Sequence, residues 1–343
     1  MKTSRLVIVG FGNVGQGFVQ ILSDQAQFLA EQFNLQFSVV AVNDMRFGSL
    51  YDPKGLPLQE LLAAGAQADL SSVPAAHQGW SVDEMLAQAD ADTLVEASYT
   101  DLRTGEPALT YIRQALAAGK HVVTTNKGPI ALCFPELSAL AAEHQVQIGY
   151  EGTVMSGTPT IALGRKLLAA ARIQRIQGIL NGTTNFILTR MEGGGSYADA
   201  LAEAQALGYA EADPTGDVEG FDAAGKVVIL SNILMASGLT MADVDREGIT
   251  RLTQADIQDA RGRGQRWKLI GTIEKVAGRV NASVRPVALP ADHPLANVNG
   301  ALNAVTYTTE LLGDVTIIGA GAGRVQTGYA LLNDLLSIHG RIE

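Results

Sequence analysis

Cysteine is almost absent from this 343-residue sequence, with Cys133 the single example. No intrachain disulfide and no thiolate metal cluster can therefore be built. Long hydrophobic runs are also lacking. The most apolar stretch, Val227–Met241, is interrupted by Ser231, Asn232 and Ser237 and is too short to span a bilayer. The opening residues, M-K-T-S-R-L-V-I-V-G-F-G, contain no signal-peptide apolar run. Positive charge is in deficit, with 25 Lys and Arg against 35 Asp and Glu and a formal net charge of -10. That balance argues against nucleic acid or an anionic membrane as the main partner. No internal repeat occurs, and no low-complexity run exceeds Gly193–Gly195. The expectation is a soluble, cytoplasmic globular protein.

What is present is apolar material: 47% of the residues are hydrophobic, enough for sizeable cores in two or more domains. Leu6–Val9 reads as a buried strand that runs into Gly10-Phe11-Gly12-Asn13-Val14-Gly15, with a helical pattern from Gln16 to Glu31. Strand, G-x-G-x-x-G and helix in that order form a dinucleotide fingerprint. Its glycines permit a tight turn and close approach to a pyrophosphate, and the helix N-terminus supplies partial positive charge. A packing turn in an unrelated α/β domain is the alternative.

Phe37–Val42 reads as the second strand, and it ends at Asn43-Asp44-Met45-Arg46. An acid there suits the ribose hydroxyls of NAD, whereas an arginine suits the 2′-phosphate of NADP. Asp44 and Arg46 point to opposite cofactors, and the choice stays open. Thr93–Ala97 is another buried strand, followed by Ser98-Tyr99-Thr100 and a helix that starts near Pro107. His121–Thr124 leads into Asn126-Lys127, and Val146–Gly149 closes the series. Strands alternating with helices predict a doubly wound parallel sheet, with ligands at the carboxyl ends of the strands. Lys127 falls at such an end and is a candidate to face the cofactor, against the alternative of a surface lysine in a turn.

The glycine-rich turn Tyr150–Pro159 carries one carboxylate, Glu151. It reads either as an interdomain hinge or as a site where carbonyls and a carboxylate collect a hard cation. Arg172–Leu180 is a strand of a second domain, ending at Asn181-Gly182-Thr183-Thr184-Asn185 before an apolar helix. That turn suits a carboxylate. Trp267–Thr272 and Gly278–Val287 read as two further strands. Gly319–Gly323 then precedes a last helix, Val325–Ile338, as a cofactor cover or a flexible turn.

The richest stretch is Tyr209–Lys226, with carboxylates at Glu211, Asp213, Asp217, Glu219 and Asp222 and a lysine at its end. Pro214 and Gly216 put Glu211 and Asp213 on a loop. A helical pattern begins at about Asp217, which sets Asp222 and Lys226 four apart on one face. A solvated ion pair is the ordinary reading. Lys226, however, opens a nearly unbroken apolar helix, and a partly desolvated lysine held by a carboxylate can exchange a proton with a reacting oxygen.

Together these segments resemble the homoserine dehydrogenase family over nearly the whole chain. The resemblance is carried by G-F-G-N-V-G at Gly10–Gly15, R-T-G-E-P-A-L at Arg103–Leu109 and G-K-H-V-V-T-T-N-K-G-P at Gly119–Pro129. Y-E-G-T-V at Tyr150–Val154, G-I-L-N-G-T-T-N-F-I-L at Gly178–Leu188 and G-A-G-A-G at Gly319–Gly323 extend it. The most diagnostic piece is G-Y-A-E-A-D-P-T-G-D-V-E-G-F-D-A-A-G-K at Gly208–Lys226.

The resemblance implies reversible NAD(P)-linked conversion of L-aspartate 4-semialdehyde to L-homoserine, in threonine and methionine biosynthesis. It implies an α/β fold with an N-terminal Rossmann domain at residues 1–149, joined by a C-terminal helix at about 320–343. A catalytic domain with a mixed sheet would occupy 171–289, and a dimerisation region 150–170 and about 290–319. By matching motif, Lys226 is the proton donor or acceptor, Asp222 its partner, and Lys127 lies between nicotinamide and substrate. Glu211 would bind the substrate ammonium, with Tyr209, Gly182, Thr183 and Asp217 in the pocket. The cofactor set is Gly10, Gly12, Asn13, Val14, Gly15, Asp44, Arg46, Ser98, Tyr99, Thr100, Lys127 and Gly323. Glu151, with Val154, Ser156 and Thr158, matches the family's turn for a monovalent cation such as sodium. A homodimer or dimer of dimers is expected.

The sequence departs from the family pattern at Met155, where a small residue is usual, and at Gln326 and Gly328, which replace Pro and Ala. It resembles the short form without a regulatory ACT domain, so threonine feedback through such a domain is not expected. A reductase of another small aldehyde or keto acid, or a non-catalytic nucleotide sensor, is the alternative.

Overall fold

Leu6–Val9 is almost completely buried, as a strand covered on both faces must be. In the computed structural model, which describes residues 1–342, it belongs to the central strand of the first of two sheets. The chain forms two units, Met1–Gly157 together with the segment from Gly323 onward, and Thr158–Ala322. The last residue of the predicted C-terminal helix segment, Glu343, lies outside the described residues. Among the described residues no helix is long and apolar enough to cross a membrane.

The first unit holds β1 (Lys2–Val9), β2 (Leu35–Asp44), β3 (Gly48–Tyr51), β4 (His77–Gln78), β5 (Thr93–Glu96), β6 (His121–Thr124) and β7 (Ile148–Gly149). Their order is β4-β3-β2-β1-β5-β6-β7, parallel from β2 through β7. At one edge β3 and β4 run antiparallel, because only Met45–Phe47 separates β2 from β3 and so short a link permits a hairpin alone. The strand order reverses between β1 and β5, the place where doubly wound sheets bind ligands.

Around this sheet lie α1 (Asn13–Asp24), α2 (Ala26–Phe33), α3 (Leu58–Ala66), α4 (Val82–Gln88), α5 (Ala108–Ala117) and α6 (Lys127–Glu143). The single helix predicted over Gln16–Glu31 is two, divided at Gln25. Ser23 and Asp24 just before the break are residues whose side chains compete with helical hydrogen bonding.

The second unit contains α7 (Thr160–Ala162), β8 (Ile173–Ile179), α8 (Gly182–Glu192), α9 (Tyr197–Ala206), α10 (Thr215–Val218), α11 (Phe221–Met235), β9 (Val244–Arg246) and α12 (Gln254–Gly262). It continues with β10 (Gln265–Val276), β11 (Arg279–Pro290), β12 (Leu302–Thr309) and β13 (Gly313–Ala320). The sheet order is β13-β12-β8-β10-β11-β9, antiparallel except for β9 beside β11. Residues Ala223–Ser231 of α11 are all buried, as an all-round apolar helix requires.

Two expectations change here. The helix expected from Asp217 onward is broken at Gly220, whose φ of +80° suits glycine, so α10 and α11 are separate. Gly319 and Ala320 pair with Asn303 and Leu302, so the final glycine loop is reduced to 321–323.

The last helix, α13 (Arg324–Ile338), belongs to the first unit and lies along α1. A Cβ on Gly17 would stand 2.2 Å from the Arg324 carbonyl oxygen, and one on Gly328 would stand 2.6 Å from the Phe18 nitrogen. Gly328 is thus matched to a close helix crossing. Leu331, Leu332, Leu335 and Leu336 share the core of Leu6, Ile8 and Phe18. Each such leucine contributes roughly 2 kcal/mol by burial.

Candidate active site

The Tyr209–Lys226 stretch folds around the end of β8. Asn181 caps α8 by accepting from the Thr184 amide at 2.8 Å, which leaves its own amide nitrogen to donate elsewhere. That nitrogen reaches Asp217 Oδ1 at 2.6 Å and Asp222 Oδ2 at 3.0 Å. One turn along α11, Lys226 Nζ donates to Asp222 Oδ2 at 2.7 Å and to the Leu180 carbonyl at 2.6 Å. Lys226 is only 6% exposed. Asp222 sits in the first turn of its helix, where the dipole favours a carboxylate.

Burial first, and the neighbouring Asp222 charge second, push the Asp217 carboxyl above its usual range, while Asn181 and Lys226 pull it back. Two carboxylates around one ammonium leave a surplus negative charge. Such a cluster can receive a cationic group and pass a proton at Lys226.

Thr183 Oγ1 donates to the Tyr209 carbonyl at 2.7 Å, and the Tyr209 ring rests on Phe186 with centroids 5.1 Å apart. Gly182 opens α8 at a point where a Cβ would stand 2.6 Å from the Ala301 carbonyl oxygen. Glu211 lies on an exposed loop, with its carbonyl accepting from Gln205 at 3.1 Å. The structure therefore brings Asp217, Asp222 and Lys226 together, and Thr183 to Tyr209. Among the described residues no hydrogen bond ties the Glu211 carboxylate to that cluster.

In the first unit, Gly10 has φ +94°, and a Cβ on it would lie 2.4 Å from the Ala97 carbonyl carbon. A Cβ on Gly15 would lie 2.2 Å from the Gly10 oxygen. Gly12 caps α1 without any side-chain hydrogen bond, so the amides of Asn13 and Val14 open the helix with no capping side chain over them. The fingerprint thus forms a cradle suited to a phosphate.

Asp44, at the end of β2, accepts from the Phe11 amide at 2.8 Å and from the Arg46 amide at 2.9 Å. The Arg46 side chain is largely exposed, with Nε 4.0 Å from Asp44. Ser98, Tyr99 and Thr100 follow β5, with the Tyr99 side chain open to solvent. Lys127 is the half-buried first residue of α6, behind the cap residue Asn126. Gly323 caps α13 with φ +144°.

Glu151 is buried, and its amide donates to Asp334 Oδ2 at 3.0 Å. Val154 ends the 3₁₀ turn at Glu151–Thr153, and Met155 and Ser156 follow with left-handed φ of +57° and +55°. Ser156 Oγ lies 2.7 Å from Thr327 Oγ1. Thr158 opens the second unit, its carbonyl accepting from the Thr160 amide at 2.7 Å. Among the described residues no group of three His, Cys, Asp or Glu could hold a metal, so a cation at this turn would depend on carbonyl oxygens.

Sequence reasoning assigned no role to Asn181, Asn126 or Glu96. Asn181 was legible as a helix cap, but not as the bridge between two carboxylates 36 and 41 residues away. Glu96 gave one signal, an acid ending an otherwise apolar buried strand.

The homoserine dehydrogenase family model matches residues 159–336, and the model for the NAD-binding domain of homoserine dehydrogenase matches residues 10–151. An NAD(+)-dependent homoserine dehydrogenase of Pseudomonas canavaninivorans is 47% identical over 99% of this chain and 97% of its own. A solved chain from Archaeoglobus fulgidus superposes with a TM-score of 0.88 at 37% identity, covering 98% of this chain and 99% of that one. A hyperthermophilic archaeal homoserine dehydrogenase mutant in complex with NADPH gives a TM-score of 0.84 at 30% identity, over 100% of this chain and 99% of its own. A fingerprint cradle in one unit, a lysine–carboxylate cluster in the other and full-length likeness to these relatives agree: the chain belongs to the homoserine dehydrogenase family of NAD(P)-dependent oxidoreductases.

Proposed function

We propose that Lys226 is the general acid and base of the interconversion of L-aspartate 4-semialdehyde and L-homoserine. The observation that carries this reading is the buried Lys226 ammonium held 2.7 Å from Asp222, with Asp217 on the same Asn181 amide. The bound nicotinamide supplies the hydride in reduction and accepts it in oxidation.

When the aldehyde is reduced, negative charge grows on its oxygen, and the Lys226 ammonium both stabilises that charge and delivers the proton. In oxidation Lys226 must first be neutral to take the hydroxyl proton, so this direction is favoured by alkaline pH. Asp222 orients the lysine. Asp217 and Glu211 supply negative charge for the substrate ammonium, with Tyr209, Gly182 and Thr183 shaping the pocket. Lys127 is assigned to the nicotinamide end of the cofactor-binding edge.

NAD is the preferred cofactor in this reading, because the Asp44 carboxylate stands at the end of β2 against the glycine loop and opposes a 2′-phosphate. The Pseudomonas relative's NAD dependence agrees. The buried Glu151 turn, with its two left-handed residues, supports a monovalent-cation role through Glu151 and the Val154 and Ser156 carbonyls. A homodimer built on residues 150–170 and about 290–319, and a cytoplasmic location, complete the proposal.

The test is reduction of NAD and NADP, measured separately with L-homoserine at alkaline pH, for the wild type and Lys226→Ala. Turnover that collapses in Lys226→Ala while NADH binding persists supports the reading. Equal turnover in the two proteins refutes it.

A further inference from the structure

We propose that Glu96 is a positioning residue for the dinucleotide. Its buried carboxylate ties together the turns after β5 and β6 that carry Ser98, Tyr99, Thr100 and Lys127. The inference rests on the reading that these turns border the cofactor.

The placement comes from topology. Glu96 is the last residue of β5, in register with Val9 of β1 on one side and Thr124 of β6 on the other. It therefore stands at the carboxyl edge of the sheet, beside the point where the strand order reverses. It is fully buried.

Its hydrogen bonds run to the turn after β5 and to the last residue of β6, where the second turn begins. Oε1 accepts from the Ser98 amide at 2.9 Å and also from the Ser98 hydroxyl. Oε2 accepts from Thr124 Oγ1 at 2.8 Å, and Thr124 Oγ1 in turn accepts from the Asn126 amide at 2.9 Å. Asn126 closes the ring by donating from its side chain to the Tyr99 carbonyl at 3.0 Å. The other end of the Asn126 side chain accepts from the Gly128 amide at 3.1 Å, which fixes the start of α6 and hence the backbone at Lys127.

An apolar residue would fill this place at lower cost if packing were all that mattered. A buried carboxylate is expensive without a compensating cation. Among the described residues no Lys, Arg or His forms an ion pair with Glu96, and burial pushes its carboxyl above the usual range against the pull of the Ser98 and Thr124 hydrogen bonds. The carboxylate accepts at once from Ser98 after β5 and from Thr124 at the end of β6. A neutral amide cannot do so, because one of its two ends must donate.

The experiment is titration of the folded full-length protein with NADH, read by nucleotide fluorescence, together with initial rates. It compares the wild type with Glu96→Gln, Thr124→Val and the double variant. Glu96→Gln is expected to raise the NADH Kd and the NAD KM about tenfold, the scale of one lost hydrogen bond to a charged group. The homoserine KM at saturating NAD should stay within about twofold, since the Glu96 carboxylate bonds to Ser98 and Thr124 at the proposed cofactor edge. Thr124→Val cuts the same ring without removing the charge and should weaken NADH comparably. The double variant should be no worse than the weaker-binding single variant, because both break one network.

Wild-type affinity for NADH in both single variants, even with lowered thermal midpoints, would reduce Glu96 to a structural staple and overturn the inference. So would strictly additive effects. Failure of the wild type itself to bind NADH would sink the cofactor reading and this inference together. If Glu96→Gln does not fold, Thr124→Val carries the same two outcomes.

Discussion

Replacing Lys226 by methionine keeps most of the apolar stem and deletes the charge. In the wild type Nζ donates to Asp222 at 2.7 Å and to the Leu180 carbonyl at 2.6 Å. The side chains are only 8% and 19% exposed, so little solvent screening applies. Deleting one partner of a buried pair costs about 3–5 kcal/mol. The partial exposure of Asp222 puts the expected stability loss near the lower end, about 3 kcal/mol. Loss of a positioned acid–base group removes roughly a hundredfold to ten-thousandfold in rate. Loss of the charge facing the developing oxyanion removes more.

The kcat for L-homoserine oxidation should therefore fall at least about a thousandfold, equivalent to about 4 kcal/mol of barrier. The NADH Kd should stay within about twofold, because only the catalytic cluster is altered. The assay is NADH formation at saturating substrate, beside a fluorescence titration of the folded variant. Retention of more than about a tenth of wild-type kcat would refute the reasoning. Lys226→Arg separates charge from proton transfer, since a guanidinium does not deprotonate at working pH. Arg should leave oxidation as poor as Met does, and full recovery with Arg would show that charge alone suffices.

Asp44→Ala removes the carboxylate at the end of β2 while Arg46 remains. The kcat/KM ratio of NADP to NAD should rise about tenfold or more, and an unchanged ratio would contradict the assigned role. Asp217, held above its usual 3.8, destabilises the fold as pH rises through its raised pKa. Asp217→Asn should accordingly raise the thermal midpoint at neutral pH, with the gain vanishing in acid; a constant difference across pH would disprove it. Lys268, fully buried on β10, donates to the Val298 carbonyl at 2.8 Å and to Asn185 Oδ1 at 3.1 Å, and burial lowers it from 10.5 to about 8. Between those two values the unfolded chain holds the proton that the folded chain has released, so folding stability rises with pH. Wild type should thus gain on Lys268→Met from pH 8 toward 10.5 in thermal melts, and parallel profiles would exclude the assignment.

Much of the site was legible because its signals are local. The fingerprint glycines announce a backbone that comes too close to its neighbours for any Cβ. Asp222 and Lys226 meet because the helical period alone places residues four apart on one face. Asn181 was readable as a cap from its position before an apolar helix. The strands read at Leu6–Val9 and Thr93–Ala97 gave away a sheet buried on both sides, as β1 and β5 show.

Other features were silent in the sequence. β12 and β13 went unread because their pairing with β8 and with each other, not any strong alternation, makes them strands. The break at Gly220 depends on a left-handed residue that helix periodicity does not register. The sequence by itself determined the doubly wound parallel sheet of the first unit, its glycine turn and the lysine–aspartate pair, since periodicity and short-range backbone geometry are properties of neighbouring residues. Only the tertiary structure decided that Asn181 bridges Asp217 to Asp222, that Glu96 joins two turns, and that α13 crosses α1 at its glycines. Those arrangements depend on desolvation and on hydrogen-bond partners far away in the chain, which no local pattern specifies.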